Sequence, residues 1–369
     1  MNKIKILLTG MSDNLGGIET YIYNLYKNAD KEKFEFSFLV FDYGKKVCYE
    51  KELEKKGVKF YKITPRTKNY FKFLKDLKEV YKNNKFDYIH FNLMDFSCFE
   101  RITYANKYSK AKIIIHSHCG SSNYLKGNHL RTAILNKLGK YKIKKIPYIR
   151  AACGKQAGEY MFGLEEYLIF NNGIDLEKFK YNLSNRQAIR NTLNINENIT
   201  AYGLVAAFLP IKNHTFLIDI FYEILKKNPN SKLLLIGEGE IKKQIKRKVK
   251  ELNIEEKVFF LGKRTDVDKI YSALDIYLMP SISEGLSISL LEAQVNGLKC
   301  YTSSEVDKNS NITGNVEFIS LKNTAKEWAN IIINSNNKRD KDVLKKVSEE
   351  YNAKKSYEKL FNYYIENKK

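Results

Sequence analysis

Short apolar stretches alternate with polar, helix-like stretches along the first half of the chain. The apolar stretches predict β-strands at residues 3–9, 36–41, 59–63, 88–91 and 113–116. Between them, helical spacing of apolar residues predicts helices such as residues 18–27 and 70–83. Strands that alternate with helices are typical of parallel βαβ units, so this half predicts a doubly wound sheet.

The second half repeats this plan. Its predicted strands are residues 201–208, 232–236, 258–261 and 276–279, and its predicted helices are residues 214–227, 241–252, 267–273 and 287–296. A chain of 369 residues exceeds the usual size of one hydrophobic core. The sequence therefore predicts an α/β fold of two Rossmann-like, doubly wound domains that face each other across a cleft.

The domain boundary is predicted at the turn Asn171-Asn172-Gly173-Ile174-Asp175, where an apolar strand gives way to turn residues. This assigns residues 1–172 to the first domain and residues 173–349 to the second. The closing segment, residues 343–364, is charged and has helical spacing. We expect a C-terminal helix of about residues 350–369 to pack back on the first domain.

Two carboxylates flank a predicted strand-to-helix junction in the second domain. Residues 280–285 interrupt a buried strand, and a helix is predicted from about Ser287. Glu284 then lies at the exit of the strand, and Glu292 leans back toward it because helical side chains tilt toward the N-terminus. Free N–H groups near Leu286 and Ser287 can hold a phosphate. The arrangement predicts a sugar-nucleotide site; the alternative is a helix with one surface glutamate and one capping glutamate.

The formal net charge is +22, and the basic residues are unevenly distributed. No Asp or Glu occurs from Arg101 to Gly158. Inside this region, residues 130–146 combine lysines with apolar residues near helical spacing, namely Leu130, Ile134, Leu135, Leu138 and Ile143. This pattern is typical of a basic amphipathic helix on an anionic membrane, although a solvated helix packed on its own domain would give the same pattern. Nucleic acid is disfavoured because no zinc finger, basic leucine zipper or RNP-type motif is present.

The composition also indicates the cellular compartment and the role of the cysteines. No apolar run approaches the ~20 residues that span a bilayer, and the N-terminus turns polar too early for a signal peptide. We therefore expect a cytoplasmic protein. The five cysteines are scattered and never form Cys-x-x-Cys, which supports neither a disulfide framework nor a zinc site.

Several short motifs occur in an order that points to one family. They are Gly16-Gly17-x-Glu19, His116-Ser117-His118, Asn172-Gly173-Ile174-Asp175, Lys212-Asn213-His214, Gly237-Glu238-Gly239 and the pair Glu284 and Glu292. In this order they resemble the family 4 retaining glycosyltransferases of the GT-B fold, over nearly the whole chain. Residues 153–162 and 275–298 look closest to the bacterial branch that builds capsular polysaccharides and exopolysaccharides.

The resemblance implies roles for residues of the first domain and for the lysine motif. Gly16 and Gly17 would cover the donor, although a bare Gly-Gly is usually only a turn. His118 would lie against the transferred sugar, with His116 as the alternative, and a lone histidine is more often structural. Lys212 would neutralise the leaving diphosphate, whereas a lysine at a helix start is ordinarily solvated.

In the second domain, the resemblance implies that Glu284 positions the sugar and that Glu292 binds the ribose. Lys263 and its neighbour Arg264 would lie near the base. The diphosphate would be bound by the backbone N–H groups of three residues, Gly285, Leu286 and Ser287.

One departure from the family pattern concerns the phosphate. The family usually shows Gly-Arg five residues before the lysine, and here those positions are Ala206-Ala207. The missing guanidinium removes a bidentate phosphate contact, and one preorganised donor of this kind contributes about 3 kcal/mol. Either Lys263 or Arg264 substitutes for it, or activity is impaired.

The reaction implied by the resemblance is a metal-independent, retaining transfer of a hexose or N-acetylhexosamine. The donor is expected to be a UDP-sugar, which is a substrate and not a cofactor. The acceptor is expected to be a lipid-linked glycan at the inner face of the cell membrane. No Asp-x-Asp motif is assigned as a metal clamp. The alternatives are a nucleotide-sugar epimerase of the same fold and a catalytically impaired, membrane-associated scaffold of glycan assembly.

Overall fold

The computed structural model describes residues 2–14, 16–119 and 130–368. The chain forms two compact units: Met1–Gly173 with Ala353–Lys369, and Ile174–Asn352. Each unit contains its own parallel sheet with helices around it. The prediction of two Rossmann-like domains is therefore confirmed.

The first unit is built on seven parallel strands. They are β1 Ile4–Thr9, β2 Phe34–Phe41, β3 Lys59–Ile63, β4 Tyr88–Leu93, β5 Lys112–Ser117, β6 Ile149–Ala152 and β7 Leu168–Ile169. Its helices include α1 Gly17–Asn28, α2 Glu50–Lys55, α3 Tyr70–Asn83, α4 Glu100–Tyr108, α5 Leu130–Ile143 and α6 Lys155–Phe162. The strand order is β3-β2-β1-β4-β5-β6-β7, so the direction of winding reverses between β1 and β4.

The second unit is built on six parallel strands. They are β8 Thr200–Val205, β9 Ser231–Ile236, β10 Val258–Gly262, β11 Ile276–Met279, β12 Lys299–Ser303 and β13 Val316–Ile319. Its helices are α7 Leu176–Phe179, α8 Leu183–Thr192, α9 His214–Lys227, α10 Lys242–Glu251, α11 Val267–Ala273, α12 Ile288–Val295 and α13 Ala325–Asn334. The strand order is β10-β9-β8-β11-β12-β13, and the winding reverses between β8 and β11.

Both faces of the first sheet are covered, which explains its uninterrupted apolar strands. Ile6, Leu7 and Leu8 are consecutive in β1, and all three are fully buried. Because side chains alternate between the faces of a sheet, Ile6 and Leu8 pack in one core cluster and Leu7 packs in the other. Tyr357 and Tyr364 of the C-terminal helix, α14 (Ala353–Glu366), are buried in the cluster of Ile6 and Leu8.

Two predicted elements need correction. The strand predicted at residues 201–208 ends at Val205, because the Phe208 N–H leaves the ladder and donates to the Glu238 carbonyl at 2.9 Å. The segment predicted as a helix at residues 343–364 begins with two short 3-10 turns, and α14 starts only at Ala353. The interruption coincides with extended pairing, in which the Ile174 N–H donates to the Tyr351 carbonyl at 2.8 Å. None of the helices among the described residues is long and apolar enough to cross a membrane.

Candidate functional site

Lys212 and Glu284 meet at the point where the winding of the second sheet reverses. Lys212 ends a short 3-10 turn after β8, and Glu284 lies in the loop after β11. The Lys212 ammonium pairs with the Glu284 carboxylate, and the two side chains are only 22% and 15% exposed. Open parallel sheets bind ligands outside the carboxyl ends of their strands at such a point. The structure thus brings two predicted site residues into direct contact where this fold binds ligands.

The predicted phosphate-binding residues lead into the N-terminus of α12. Ser287 directly precedes the helix, and the Leu291 N–H donates to the Ser287 carbonyl at 3.1 Å. The N–H groups of residues 288–290 come before this first helical bond, so they have no acceptor within the helix. Gly285 and Leu286 are half-buried just ahead of them. This end of α12 therefore presents N–H donors and the positive end of the helix dipole.

Glu292 is buried on the second turn of α12. The Tyr271 hydroxyl of α11 lies 3.0 Å from the Glu292 carboxylate and 3.0 Å from the Ser289 carbonyl, so Glu292 leans toward the helix start. Burial raises the pKa of Glu292 to about 7, whereas the Tyr271 hydrogen bond and the Lys178 ammonium act in the opposite direction. Tyr271 was not predicted, because its position in α11 fits the apolar pattern of a buried helix.

His214 is a second residue near the site to which the sequence assigned no role, although it belongs to the motif Lys212-Asn213-His214. It begins α9, it is buried, and its ring stacks on Phe208 with centroids 4.2 Å apart. Burial, assisted by Lys212, lowers the pKa of His214 to about 4. Its Nδ1 has no hydrogen-bond partner among the described residues. A neutral His214 adds no positive charge for a phosphate.

The two cations expected to replace the missing arginine differ in their surroundings. Arg264 is engaged locally, because its guanidinium contacts the Asp266 carboxylate at 2.8 and 2.7 Å. Lys263 is exposed and forms no ion pair with any described residue. Ala207 is half-buried just after β8. Of these two cations, Lys263 is the one that can meet a phosphate without breaking an existing ion pair.

The sequence contains two Asp-x-Asp triplets, neither of which was assigned as a metal clamp. They are Asp266-Val267-Asp268 and Asp340-Lys341-Asp342. In the first triplet, Asp266 pairs with Arg264 at 2.7 Å and Asp268 with Lys178 at 3.9 Å. In the second, Asp340 pairs with Lys346 at 2.5 Å and Asp342 with Lys345 at 2.6 Å. Neither triplet therefore presents two unengaged carboxylates, and the described residues contain no cluster of three metal-ligating side chains.

Gly16 and Gly17 lie where the loop after β1 enters α1, at the point where the winding of the first sheet reverses. Gly17 begins α1, and the Gly16 N–H donates to the Glu19 carboxylate at 3.0 Å. The same carboxylate accepts the Ser12 hydroxyl at 2.6 Å. Glu19 thus joins two parts of this loop, so the glutamate of the Gly16-Gly17-x-Glu19 motif has a structural role.

His118 directly follows β5 and is partly exposed, whereas His116 is fully buried. His118 Nε2 lies 2.9 Å from Asn92 Oδ1, and the Asn92 amide nitrogen donates to the Thr9 carbonyl at 2.9 Å. Asn92 therefore presents its oxygen to His118, which donates from Nε2. Burial lowers the pKa of His118 to about 3, so the ring is neutral and its Nδ1 is an acceptor. Of the two candidate histidines, His118 is the more accessible.

The surface of α5 carries apolar side chains that face outward. The exposed fractions of Leu130, Ile134, Leu138 and Tyr141 are 74, 60, 41 and 74%. The inward face consists of Asn136, Gly139 and Ile143: Asn136 accepts the Phe96 N–H at 2.9 Å, a Cβ atom at Gly139 would collide with the Phe96 carbonyl, and Ile143 is buried in the core of the domain. These four side chains thus leave much of their apolar surface uncovered by the described part of their own domain. Residues 120–129 of the acid-free region lie outside the described residues.

Comparisons with known proteins agree with this architecture. Residues 15–178 match Glycosyltransferase Family 4, and residues 185–342 match Glycosyl transferases group 1. The chain is 28% identical to a Bacillus subtilis (strain 168) protein named as glycosyltransferase EpsF, over 88% of this chain and 85% of that protein. It is 30% identical to the Escherichia coli UDP-Gal:alpha-D-GlcNAc-diphosphoundecaprenol alpha-1,3-galactosyltransferase, over 40% of this chain and 37% of that protein.

Solved structures share the fold at low sequence identity. Anabaena HepE in complex with UDP and glucose superimposes with a TM-score of 0.78 and 16% identity, over 98% of this chain and 100% of that chain. Sucrose-phosphate synthase from Thermosynechococcus elongatus superimposes with a TM-score of 0.79 and 15% identity, over 99% of both chains. The two parallel domains and the sequence matches define a glycosyltransferase of the GT-B fold. Within that class the chain belongs to family 4, with a group 1 domain in its second half.

Proposed function

We propose that the protein transfers a hexose or N-acetylhexosamine from a UDP-sugar to a lipid-linked glycan, with retention and without a metal, in capsular polysaccharide or exopolysaccharide synthesis. The pairing of Lys212 with Glu284 at the reversal point of the second sheet carries this proposal. It combines a cation for a diphosphate with a carboxylate for sugar hydroxyls, beside a helix N-terminus. HepE was solved with UDP and glucose, and the Escherichia coli relative is named for a UDP-Gal donor and a diphosphoundecaprenol-linked acceptor.

Donor binding requires the diphosphate to replace Glu284 as the partner of Lys212. The phosphate oxygens then accept hydrogen bonds from the ammonium and from the backbone N–H groups of Gly285, Leu286 and Ser287, beside the free N–H groups of residues 288–290. Glu284, once released, accepts hydrogen bonds from hydroxyls of the sugar. Negative charge grows on the diphosphate as the glycosidic bond breaks, so Lys212 stabilises the transition state more than the bound donor.

Glu292 is proposed to bind the ribose of the donor. An ionised carboxylate accepts hydroxyl hydrogen bonds more strongly than a neutral one. Because burial raises the pKa of Glu292 to about 7, its charge changes near neutral pH. The Tyr271 hydroxyl orients the carboxylate by its hydrogen bond at 3.0 Å.

His118 is proposed to contact the transferred sugar, and Gly16 and Gly17 to cover the donor. The neutral His118 ring can accept a sugar hydroxyl at Nδ1 while Nε2 donates to Asn92. Retention in this family is attributed to attack on the front face, guided by the leaving phosphate, so no residue is assigned as a nucleophile. Lys263 is proposed to compensate for the missing arginine.

The exposed face of α5 is proposed to dock the first domain on an anionic membrane. Its apolar side chains alternate with exposed lysines, at Lys137, Lys140 and Lys142, and two more exposed lysines, Lys144 and Lys145, directly follow the helix. Apolar insertion combined with cationic attraction is the mode by which helices lie on charged lipid surfaces. A lipid-linked acceptor is held in the same membrane, so this docking would bring its glycan to the enzyme.

A thermal-shift screen of UDP-, GDP- and dTDP-sugars tests the proposed activity. A ligand that binds only the folded state stabilises it by about 2.7 kcal/mol at 100 times its Kd. We expect UDP-sugars to raise the Tm, and the absence of a shift with every nucleotide sugar would contradict the proposal. Turnover of UDP-GlcNAc without an acceptor would identify an epimerase instead. Membrane binding without nucleotide-sugar affinity would identify a scaffold.

A further inference from the structure

Hydrogen-bonding side chains connect the C-terminal helix to the interior of the first sheet, beneath His118. The Tyr364 hydroxyl of α14 lies 2.5 Å from His90 Nδ1. His90 Nε2 lies 3.2 Å from His116 Nδ1. The His116 ring packs on the His118 ring, with centroids 4.3 Å apart and planes inclined by 33°. A residue of the C-terminal helix is thereby linked to the histidine that is proposed to contact the sugar.

Both histidines of this connection are neutral. Burial, assisted by His118, lowers the pKa of His90 to about 3. Burial, assisted by His118 and His90, lowers the pKa of His116 well below its ordinary value, against the effect of the Ala152 carbonyl. A neutral imidazole carries its single proton on one nitrogen or on the other. The hydrogen bonds of the connection can therefore run in one of two directions.

The Tyr364 hydroxyl determines the direction. If Tyr364 accepted a proton from His90, its own buried hydrogen would lack an acceptor among the described residues, which is unfavourable. Tyr364 therefore donates to His90 Nδ1, His90 donates from Nε2 to His116 Nδ1, and the proton of His116 resides on Nε2. This direction leaves the buried Nε2–H of His116 without an acceptor among the described residues. It is still the favoured direction, because a phenol hydroxyl is a stronger donor than a neutral imidazole N–H and an imidazole nitrogen is a stronger acceptor than a phenol oxygen.

We propose that Tyr364 is a positioning residue for the glycosyl transfer. Through His90 it fixes the tautomer and orientation of the His116 ring, and the His116 ring in turn holds His118 against Asn92. Docking of α14 thus becomes a condition for the geometry of His118. This inference rests on the proposed function in one respect, because it treats His118 as the sugar contact.

The variant Tyr364→Phe keeps the ring and removes the hydroxyl. Tyr88→Phe is its matched control, because the Tyr88 hydroxyl donates to the backbone carbonyl of Tyr364 at 3.0 Å without joining the histidine connection. Each variant removes one hydrogen bond that anchors α14. The chain has only five histidines, so ¹⁵N-histidine NMR spectra can report the tautomer of each one.

We expect His116 to be the Nε2–H tautomer in the parent and in Tyr88→Phe, and to be a mixture of tautomers in Tyr364→Phe. The kcat of transfer should fall roughly ten-fold or more in Tyr364→Phe, with the donor KM within about two-fold, because misplacement of a contacting group acts on the chemical step. Tyr88→Phe should retain the parental kcat.

Identical histidine spectra and identical kcat values in the two variants would overturn the proposal and reduce Tyr364 to an anchor of α14. If Tyr364→Phe does not fold, His90→Gln replaces it, because the glutamine amide can accept from Tyr364 and donate to His116 in the same direction. Retention of the His116 Nε2–H tautomer in His90→Gln supports the proposal, and its loss overturns it. The NMR measurement needs no substrate, so a protein without transfer activity would contradict the proposed function and leave the tautomer result readable.

Discussion

The Lys212 ammonium and the Glu284 carboxylate form an ion pair that joins the loop after β8 to the loop after β11. Each of the two proposed donor-binding groups is thus the partner of the other. A diphosphate has to compete with Glu284 for the ammonium, and a sugar has to compete with Lys212 for the carboxylate. A change at Glu284 should therefore affect the binding of UDP and the binding of a UDP-sugar differently.

Glu284→Gln should leave the affinity for UDP unchanged or increase it, because the neutral amide competes less strongly for Lys212. The same change should weaken the additional affinity that the sugar provides, and it should lower transfer about ten- to a hundred-fold, since a charge-assisted hydrogen bond to the sugar is lost. Calorimetric titrations with UDP and with UDP-sugar measure both effects. An equal loss of affinity for the two ligands would show that Glu284 does not face the sugar.

His118→Ala should reduce transfer far more than it reduces nucleotide binding. Its proposed contact is with the sugar, where interactions strengthen in the transition state. Steady-state kcat and the Kd for UDP should be measured on the same preparation. Normal turnover in His118→Ala, combined with loss in His116→Ala, would transfer the sugar contact to His116.

Glu292 should make stability and donor affinity depend on pH near neutrality. Burial raises the pKa of Glu292 from 4.5 to about 7, so the unfolded chain releases this proton at lower pH than the folded protein. The contribution to folding stability is complete below the unfolded pKa and is lost as the pH rises through 7. Since one pKa unit corresponds to about 1.4 kcal/mol, the change amounts to roughly 3 kcal/mol. Glu292→Gln should abolish this slope in urea unfolding.

UDP affinity should change in the opposite sense, because the ionised carboxylate is the stronger acceptor for the ribose. We expect the parent to bind UDP more tightly as the pH rises through 7, and Glu292→Gln to show no such increase. Tyr271, Lys178 and Asp268 are the titratable groups that influence this carboxylate. Tyr271→Phe should move the midpoint upward, since it removes the hydrogen bond that lowers the pKa. The same pH slope in parent and Glu292→Gln would exclude Glu292 as its origin.

If α5 docks on the membrane, removal of positive charge from α5 should weaken binding to anionic vesicles, whereas removal of the same charge from another helix should not. Four changes on or just after α5, Lys137, Lys140, Lys144 and Lys145 to Gln, should release the protein from phosphatidylglycerol vesicles, because each basic residue near such a surface contributes about 1 kcal/mol. Transfer to a short soluble acceptor should be retained.

The matched control removes the same charge from α10, with Lys243, Lys246, Arg247 and Lys250 changed to Gln. These residues are exposed, but the apolar residues of α10, Ile245 and Val249, are buried. The α10 variant should still co-sediment with vesicles at low salt. Equal release of the two variants from the vesicles would indicate a non-specific effect of charge. If vesicle binding of both variants were insensitive to raised salt, the positive charge would serve something other than membrane binding.

The sequence predicted those site residues whose position follows from the local pattern of strands and loops. Lys212 and Glu284 each follow an apolar strand, and parallel strands bring the residues after their carboxyl ends to one edge. The sequence did not reveal the link between His90 and Tyr364, because it depends on the docking of a helix 274 residues away. It also left the direction of α5 open, since the same apolar spacing fits an inward or an outward face. That choice is made by Asn136 and Gly139, which fit against Phe96, together with Ile143, which is buried in the core.

Calorimetric titration of UDP into Lys212→Met measures whether Lys212 holds the diphosphate of a UDP-sugar. Lys248→Met is the matched control, because Lys248 is also ion-paired, to Asp219 at 2.6 Å, and its side chain is 23% exposed. We predict that Lys212→Met binds UDP about ten- to a hundred-fold more weakly than the parent, and that Lys248→Met binds it equally well. UDP binding by Lys212→Met at the parental affinity would show that Lys212 does not hold the diphosphate.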